Sequence, residues 1–390
     1  MKTYNIIYSN EALKPYLVTL ADNLNAKAPS SFCVKLDTEC APQEGEILVG
    51  STNRAESEAV SDKLPLCYEA KSVNGKLVIK TGGEHSLSKF LASLAEIDIE
   101  TIISDDSCDI VGNYFDDPYD VSRSEGTDIR IMTANVMANA EMYNKCRDII
   151  SIAAREEIFH AAIDYYKPDI IGVQEFCMEC HAELEKYHDV GRWEILKFLN
   201  PHPQYATHYV YSTIMYRTDL FELLEKGMKY YDKFNNSRCR CMTWGIFRTK
   251  STGKEFGFIS THWDGFDSDN AWAQMQELSD LTNKIMEEKG IPVFTMGDLN
   301  SNEWTKSLPQ YFQNIDSYDC MHADESKRLN IAGSWHDWAI GKASAGSCDH
   351  ITAPKKDCEV LKFETLMYNE QIYSSDHAWL AVDIKFKNKE

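Results

Sequence analysis

The stretch Pro292-Val-Phe-Thr-Met-Gly-Asp298-Leu-Asn300 joins an apolar run to a short polar turn. The run Pro292–Met296 contains β-branched and aromatic residues, which predicts a strand. Glycine, aspartate and asparagine follow directly, and these residues are typical of a turn. A Gly-Asp-Leu-Asn sequence also forms ordinary structural turns, so this stretch alone leaves the role of Asp298 open.

Five other polar sequences lie at or just after the end of strand-like apolar runs. In chain order they are Ile-Met-Thr-Ala-Asn135, Ile-Gly-Val-Gln-Glu175, Ser-Thr-His262-Trp-Asp264, Cys-Asp349-His350-Ile and Ser-Ser-Asp376-His377. Carboxylate, amide and imidazole groups therefore concentrate at the ends of predicted strands.

Cleavage of a phosphodiester at neutral pH requires three kinds of chemical group. A divalent cation offsets the negative charge, an activated water attacks, and donors stabilise the charge that accumulates. Carboxylate oxygens suit Mg²⁺, which takes only one or two of them and keeps water as its other ligands. Histidine is readily poised near pH 7 to donate to a phosphoryl oxygen. The polar sequences of this chain contain carboxylates that can bind the cation or orient the water, and histidines that can act as donors.

In this order, the polar sequences resemble those of the endonuclease/exonuclease/phosphatase superfamily. That superfamily includes DNase I-like nucleases, sphingomyelinases and inositol-polyphosphate phosphatases. The resemblance extends over residues 127–390. It implies an α+β fold, the four-layer α/β/β/α sandwich of the DNase I-like proteins, and a hydrolase that cleaves phosphoesters with Mg²⁺ or Mn²⁺.

The resemblance also implies a role for each matching carboxylate and amide. Glu175 would be the principal metal ligand, with Asn135 and Asp376 beside the metal. Asp298 would orient or deprotonate the attacking water, and Asn300 would position the phosphate.

The histidines receive complementary roles. His262 and His377 would bind and stabilise the phosphoryl oxygens, and Asp349 would orient His377. The sequence departs from the usual Thr-His-Leu-Asp motif only at Trp263. Arg240 precedes a Thr-Trp pair, as in many members of the superfamily, and would contact substrate or form a surface salt bridge.

Each of these residues also has an ordinary structural alternative. Asn135 would be a turn residue at a strand end, Glu175 a cap of the next helix, and each histidine a hydrogen-bonded core residue. The complete ordered set favours the catalytic interpretation over these alternatives. The residue type at His350 varies across the superfamily, so no role is assigned to it.

Strand-like and helix-like segments alternate from residue 127 onward. Apolar periodicity predicts helices at Arg147–Tyr166 and Asp269–Lys289. Strands are predicted at Ile129–Asn135, Ile170–Gln174, Thr207–Arg217, Met242–Thr249, Glu255–Thr261, Pro292–Met296, Asp349–Ala353 and Trp379–Phe386. This mixture suits two packed sheets with helices outside.

Residues 1–104 predict a small α/β domain, and residues 105–126 predict an acidic linker that could hold a strand near Ile110–Tyr114. Two stretches, Glu46–Arg54 and Lys76–Gly83, resemble the small α/β domain that precedes the catalytic barrel of many bacterial glycoside hydrolases. That resemblance implies an accessory, non-catalytic role; the alternative is a packing domain with no site of its own. The predicted elements are strands at Tyr4–Tyr8, Phe32–Leu36, Glu46–Val49, Cys67–Ser72 and Lys76–Thr81, and helices at Glu11–Asn25 and Ser86–Leu94.

Composition restricts the classes of function. The chain has 390 residues, 43% of them hydrophobic, and a formal net charge of -21, so it is a globular protein with an acidic surface. Proteins that bind duplex nucleic acid usually carry a basic face. The acidity therefore argues against long nucleic acid as the main substrate and favours a small phosphoester.

The location that the sequence predicts is cytoplasmic. The apolar stretch near the first residues is too short for a signal-peptide core, and no run approaches the ~20 apolar residues of a membrane helix. The twelve cysteines are scattered, which is typical of reduced thiols. A signal peptide that had been removed would leave the same pattern, so that alternative stays open.

Three other signals carry little weight. Cys177, Cys180 and His181 match a haem-attachment pattern, but no second Cys/His pair at zinc-finger spacing accompanies them, and plain thiols are the favoured interpretation. Asn235 begins a glycosylation sequon, which has no meaning in a cytosolic protein. The sequence contains no Walker A loop, G-x-G-x-x-G or G-x-S-x-G motif.

The sequence therefore predicts a metal-dependent phosphoesterase that hydrolyses a small phosphodiester or monoester, such as a lipid headgroup, a sugar phosphate or a nucleotide. One alternative is a nuclease, which would need an electropositive groove. Another is a non-catalytic binding module on the same scaffold. The presence of every expected catalytic residue argues against this alternative. A glycoside-active enzyme is a more distant alternative, because no paired catalytic carboxylates of that kind stand out.

Overall fold

The chain divides into two compact units, Met1–Phe115 and Asp116–Glu390. The computed structural model describes residues 2–27, 29–61, 67–81, 90–91, 94, 98–105, 108–113, 120–137, 152–176, 192–198, 212–233, 240–265, 268–302, 304–329, 333–335, 346–366 and 375–387. In this part of the chain, no helix is long and apolar enough to cross a membrane.

The first unit is a six-stranded sheet with helices. Its elements are β1 Thr3–Tyr8, α1 Lys14–Lys27, β2 Ser31–Leu36, β3 Ile47–Val49, β4 Cys67–Val73, β5 Lys76–Thr81, α2 Ile99–Asp105 and β6 Asp109–Asn113. The strand order is β2-β1-β3-β5-β4-β6, in which β4 is antiparallel to both of its neighbours. Most of the predicted helix Ser86–Leu94 lies outside the described residues.

The strands of the first unit form where the sequence predicts them, because short apolar runs meet α1 on one side. Leu17, Leu20 and Leu24 of α1 are buried in one cluster with residues of β1, β3 and β5. The strand β6 lies inside the segment predicted as a linker and pairs antiparallel with β4 from Asp109↔Lys71 to Asn113↔Cys67.

The second unit contains two sheets. Its strands are β7 Ile129–Asn135, β8 Ile170–Gln174, β9 Trp193–Ile195, β10 Ser212–Arg217, β11 Phe221–Tyr230, β12 Cys241–Thr249, β13 Glu255–His262, β14 Val293–Asp298, β15 Ser317–Asp319, β16 Arg328–Leu329, β17 Asp349–Pro354, β18 Cys358–Thr365 and β19 Leu380–Phe386. One sheet has the order β16-β18-β19-β7-β8-β10-β9, and the other β11-β12-β13-β14-β17-β15.

Helices cover the outer face of each sheet. They are α3 Ile152–Tyr166, α4 Ser268–Lys289 and α5 Ser307–Asn314. Phe159 of α3 packs edge-on against Trp379, which precedes β19, with ring centroids 4.9 Å apart. Met275 of α4 and Tyr311 of α5 share a buried cluster with Val293 of β14. The apolar core between the sheets includes residues from both of them, so the predicted four-layer sandwich is confirmed.

Strand β7 is buried along its whole length, including its polar residues Arg130, Thr133 and Asn135. All seven of its residues are buried, because one face packs on the other sheet and the opposite face is covered as well. The first residues of the predicted strand Thr207–Arg217 and of the predicted helix Arg147–Tyr166 lie outside the described part of the chain.

One expectation about strand ends is wrong. Asp349 opens β17, and His377 comes before β19, so neither directly follows a strand in the part of the chain that the structure describes. Both strands run antiparallel to a neighbour, β17 to β14 and β19 to β7. Their beginnings therefore lie at the same edge as the carboxyl ends of β14 and β7.

Pairing registers bring the polar residues to this edge. His262 of β13 is level with Asp298 of β14, and Asp298 is level with Asp349 of β17. In the other sheet, Asn135 of β7 is level with Gln174, which directly precedes Glu175.

Candidate active site

Asp298 lies at the centre of the polar cluster. Its Oδ2 accepts a hydrogen bond from Asn135 Nδ2 at 3.0 Å and lies 3.1 Å from His262 Nε2 and 3.8 Å from His377 Nε2. Its Oδ1 accepts from the backbone N–H of Asn300 at 2.9 Å. Burial opposes ionisation, but the two imidazoles and this backbone bond hold the pKa of Asp298 below its ordinary value. Asp298 is therefore a buried, ionised carboxylate with a fixed orientation.

His377 forms a hydrogen-bonded pair with Asp349. The distance from His377 Nδ1 to Asp349 Oδ2 is 2.7 Å, and the His377 backbone N–H is held by Ser375 Oγ at 3.2 Å. Burial lowers the pKa of His377, but the carboxylates of Asp349 and Asp298 raise it well above its ordinary range. The imidazole is therefore protonated at neutral pH, with Nε2 directed toward Asp298 at a distance too long for a hydrogen bond.

The pKa of His262 is shifted in the opposite direction, below its ordinary value. Burial lowers its pKa, and the positive charge of Arg240 lowers it further, in opposition to Asp298. The Nδ2 atom of Asn300 lies 2.9 Å from His262 Nε2 and donates to the carbonyl of Trp263 at 2.9 Å. His262 Nδ1 is buried and has no hydrogen-bond partner among the residues that the structure describes. The site thus contains one neutral and one protonated histidine.

Glu175 and Asp376 add two more carboxylates to the cluster. Asp376 is largely buried, which raises its pKa, and the negative charges of Glu175 and Asp298 raise it further against the effect of His377. Glu175 directly follows β8 with a left-handed backbone, φ 55°. Such crowding of carboxylates favours a bound cation, because a metal ion relieves their mutual repulsion.

The oxygen donors of Asn135, Glu175 and Asp376 are hard ligands of the kind that Mg²⁺ and Mn²⁺ prefer. A second group of donors lies beside them: one atom from each of Asp298, Cys348 and His377 lies within 4.8 Å of the others. Burial raises the pKa of the Cys348 thiol to about 12. A protonated sulfur is a poor ligand for Mg²⁺, so the oxygen set suits that ion better.

Arg240 and Trp263 are both buried side chains. Arg240 is only 3% exposed, so it does not form a surface salt bridge. Trp263 is fully buried and packs edge-on against Tyr311 at 5.6 Å, and its Nε1 donates to Tyr231 Oη at 3.2 Å. Trp263 therefore contributes to the core under α4 and does not line the catalytic edge.

Sequence reasoning missed Ser334. Its Oγ accepts from the backbone N–H groups of Cys348 and Asp349, each at 3.0 Å, and its carbonyl accepts from Ala378 N at 2.6 Å. Ser334 thus holds the two segments that carry Asp349 and His377. No local pattern marks it, since a serine in a loop is ordinary.

The structure brings every predicted site residue of β7, β8, β13, β14, β17 and the segment before β19 to one edge of the sandwich. The haem-like cysteines and the sequon at 235–237 lie outside the described residues.

A sequence profile decides the relationship: that of the Endonuclease/Exonuclease/phosphatase family matches residues 132–377. The chain belongs to this family. No curated protein matches it by whole-sequence comparison.

Solved structures with this fold include three instructive neighbours. A Bacteroides thetaiotaomicron mannosyl-6-phosphatase has 19% sequence identity and a TM-score of 0.57, over 66% of this chain and 100% of the neighbour. The human Nocturnin catalytic domain, solved with a sulfate anion, has 17% identity and a TM-score of 0.53, over 68% and 97%. Danio rerio TDP2, solved with a single-strand DNA product, has 15% identity and a TM-score of 0.50, over 66% and 98%.

These TM-scores show a common fold over about two thirds of the chain. Family membership gives the coarse activity: the chain is a hydrolase that acts on phosphoester bonds, of phosphatase or nuclease type. The predicted family and fold are confirmed.

Proposed function

We propose that this protein is a divalent-metal-dependent phosphoesterase that hydrolyses a small phosphodiester or phosphomonoester. One observation carries the proposal: Asp298 Oδ2 lies 3.1 Å from His262 Nε2 and 3.8 Å from His377 Nε2, near the carboxylates of Glu175 and Asp376. This arrangement supplies a water-orienting carboxylate, phosphoryl donors and a cation site together.

Glu175, Asn135 and Asp376 would hold the metal ion. The raised pKa of Asp376 fits this role, since its carboxylate lies near other negative charges that a cation would offset. The bound ion would offset phosphate charge and acidify water. We propose Mg²⁺ or Mn²⁺, because the ligands are oxygens.

Asp298 would orient the attacking water by accepting its hydrogen bond. The lowered pKa makes this carboxylate a weak proton acceptor, so orientation is its main contribution. His377 would donate from Nε2 to a phosphoryl oxygen, since Asp349 holds the ring by Nδ1. Asn300 would position the phosphate, and His262 would bind and stabilise the phosphoryl oxygens. The water would attack in line with the leaving group.

The substrate we favour is small. A net charge of -21 disfavours a polynucleotide. Two exposed tryptophans lie on segments of the site: Trp335 is 47% exposed and its backbone pairs with that of His377, while Trp304 is 69% exposed and lies beside Gly346. Tryptophan rings stack on flat or ring-shaped groups, which supports a sugar phosphate or nucleotide. The mannosyl-6-phosphatase of the same fold supports this choice.

The second candidate is a nuclease, which the DNA product of the Danio rerio neighbour supports.

The first unit would be a non-catalytic accessory domain with either activity. A cytoplasmic location remains our prediction.

The test is hydrolysis of bis(p-nitrophenyl) phosphate and p-nitrophenyl phosphate with Mg²⁺, with Mn²⁺ and with EDTA. Glu175→Gln removes a proposed ligand charge, whereas Glu287→Gln removes an exposed charge on α4 and serves as the matched control. We expect the first to lower turnover by at least about 100-fold and the control to match the native protein.

The ratio of the two rates separates diesterase from monoesterase. Metal binding measured by calorimetry accompanies the assay. A protein that neither binds metal nor hydrolyses these esters or single-stranded DNA contradicts the proposal and favours a binding module.

A further inference from the structure

His350 is a buried histidine next to Asp349 in sequence, and it takes no part in the mechanism above. It is 2% exposed. Successive residues of a strand face opposite sides, so Asp349 contacts His377 whereas His350 lies on the side of α5, with its ring 6.2 Å from that of Phe312.

When Asp319 is ionised, both ring nitrogens of His350 face atoms that can only accept hydrogen bonds. Nδ1 lies 3.0 Å from Asp319 Oδ2. Nε2 lies 2.8 Å from the carbonyl oxygen of Ser301 and 3.1 Å from that of Ser347. A neutral imidazole has one N–H and can satisfy only one side, whereas an imidazolium satisfies both.

The charged form is therefore the one that this geometry requires. Burial disfavours it, but the Asp319 carboxylate, the Ser301 carbonyl and Asp349 together more than compensate, so the pKa of His350 is raised. Asp319 is itself held, because its Oδ1 accepts from Met321 N at 3.2 Å. Asp349 is the other acidic group near the ring.

The two carbonyl groups belong to segments that carry catalytic candidates. Ser301 directly follows Asn300, whose side chain contacts His262. Ser347 comes two residues before Asp349 and also donates from Oγ to the Asp349 carbonyl at 2.8 Å. One charged ring thus joins the loop after β14 to the loop before β17.

We propose that the His350 imidazolium, fixed by Asp319, is a positioning element for catalysis: it sets the separation of the loops that present Asn300 and Asp349. This inference rests on the proposed function for its catalytic consequence. The ring contacts no reacting atom, so its effect passes through the two loops.

The first test needs no activity. In protein labelled with ¹⁵N-histidine, the His350 signals, assigned by their loss in His350→Gln, should show both ring nitrogens protonated at pH 7. A neutral imidazole at pH 7 would overturn the proposal.

The second test is kinetic. His350→Gln keeps one amide donor but loses the charge and the second contact, so we expect kcat to fall about tenfold to a hundredfold while KM changes little. Asp319→Asn keeps an acceptor toward Nδ1 and should lose less. The exposed His322→Gln is the matched control.

A folded His350→Gln with native kcat would contradict the positioning role. If that variant does not fold, Asp319→Asn decides, and its kcat should fall below that of the control. If the native protein shows no Glu175-dependent turnover, the proposed function fails, while the labelled-histidine spectrum still decides the charged contact.

Discussion

Asp298 gathers contacts from four segments of the second unit. Asn135 and the backbone of Asn300 donate to it, and His262 and His377 face it from two other segments. Residues near in space here are far apart in the chain, since Asn135 and Asp298 are 163 positions apart. A carboxylate in such surroundings is stabilised in its charged form by its neighbours.

Gly297 makes this placement of Asp298 feasible. It has φ 144°, and a Cβ atom there would lie 1.9 Å from the carbonyl oxygen of Thr261. We expect Gly297→Ala to destabilise the second unit by at least about 3 kcal/mol, from backbone strain and overlap with the neighbouring strand. Urea unfolding measures this change.

The matched control is Gly253→Ala. Gly253 also has a positive φ, 71°, but nothing lies within 4 Å of the added methyl group. Its cost should be about 1 kcal/mol, from the left-handed backbone alone. Equal costs at the two positions would contradict the close contact between β13 and β14.

At the scale of elements, a buried ion pair joins β7 to β19. Arg130 Nε lies 2.6 Å from Asp383 Oδ1, and Arg130 Nη2 donates to Asp383 Oδ2 at 2.9 Å. Both side chains are almost fully buried. The pair fixes the register of β7 and β19. Strand β7 ends at Asn135, and β19 begins three residues after His377.

This pair gives stability a dependence on pH. Burial raises the pKa of Asp383, but Arg130, with smaller contributions from the Ser124 backbone N–H and Lys362, lowers it more, so the net pKa is below the ordinary 3.8. A lowered carboxyl pKa contributes stability that is present above the ordinary value and is lost as pH falls through the lowered one. Asp383→Asn should therefore cost about 3–5 kcal/mol at pH 7 and less at pH 3, which lies below the ordinary pKa.

Urea unfolding of native and variant protein at both pH values measures the two differences. The same difference at pH 3 and pH 7 would show that the charge of Asp383 does not stabilise this part of the sandwich.

At the scale of the whole molecule, each unit has its own buried clusters. One set contains only residues of the first unit and the other only residues of the second. All candidate site residues lie in Asp116–Glu390. A domain with its own core can fold alone.

We therefore expect residues 116–390, expressed alone, to fold and to keep turnover within about twofold of the full chain. Circular dichroism and the nitrophenyl assay measure both properties. An insoluble or inactive product would show that catalysis depends on the first unit.

Much of the second unit follows from local pattern. The strands β7 and β8 end at the predicted residues, because each is rich in apolar residues and closes on a polar side chain, Asn135 or Gln174. The edge strand β11 was not predicted, since its residues are mostly half-buried or exposed and its pairing with β12 is irregular between Leu223 and Glu225. Strand β18 also escaped prediction and likewise has a shift in register, between Val360 and Lys362.

The sequence by itself indicated the family, the sandwich and the candidate residues, because its polar motifs resemble those of the superfamily in identity and in order. Tertiary structure alone decided the charge of those residues and the partners of Ser334 and His350. Charge depends on burial and on neighbours that the fold brings from distant positions. For His350, the three acceptors around the ring come from the end of β15, the loop after β14 and the loop before β17, and no local pattern encodes their meeting.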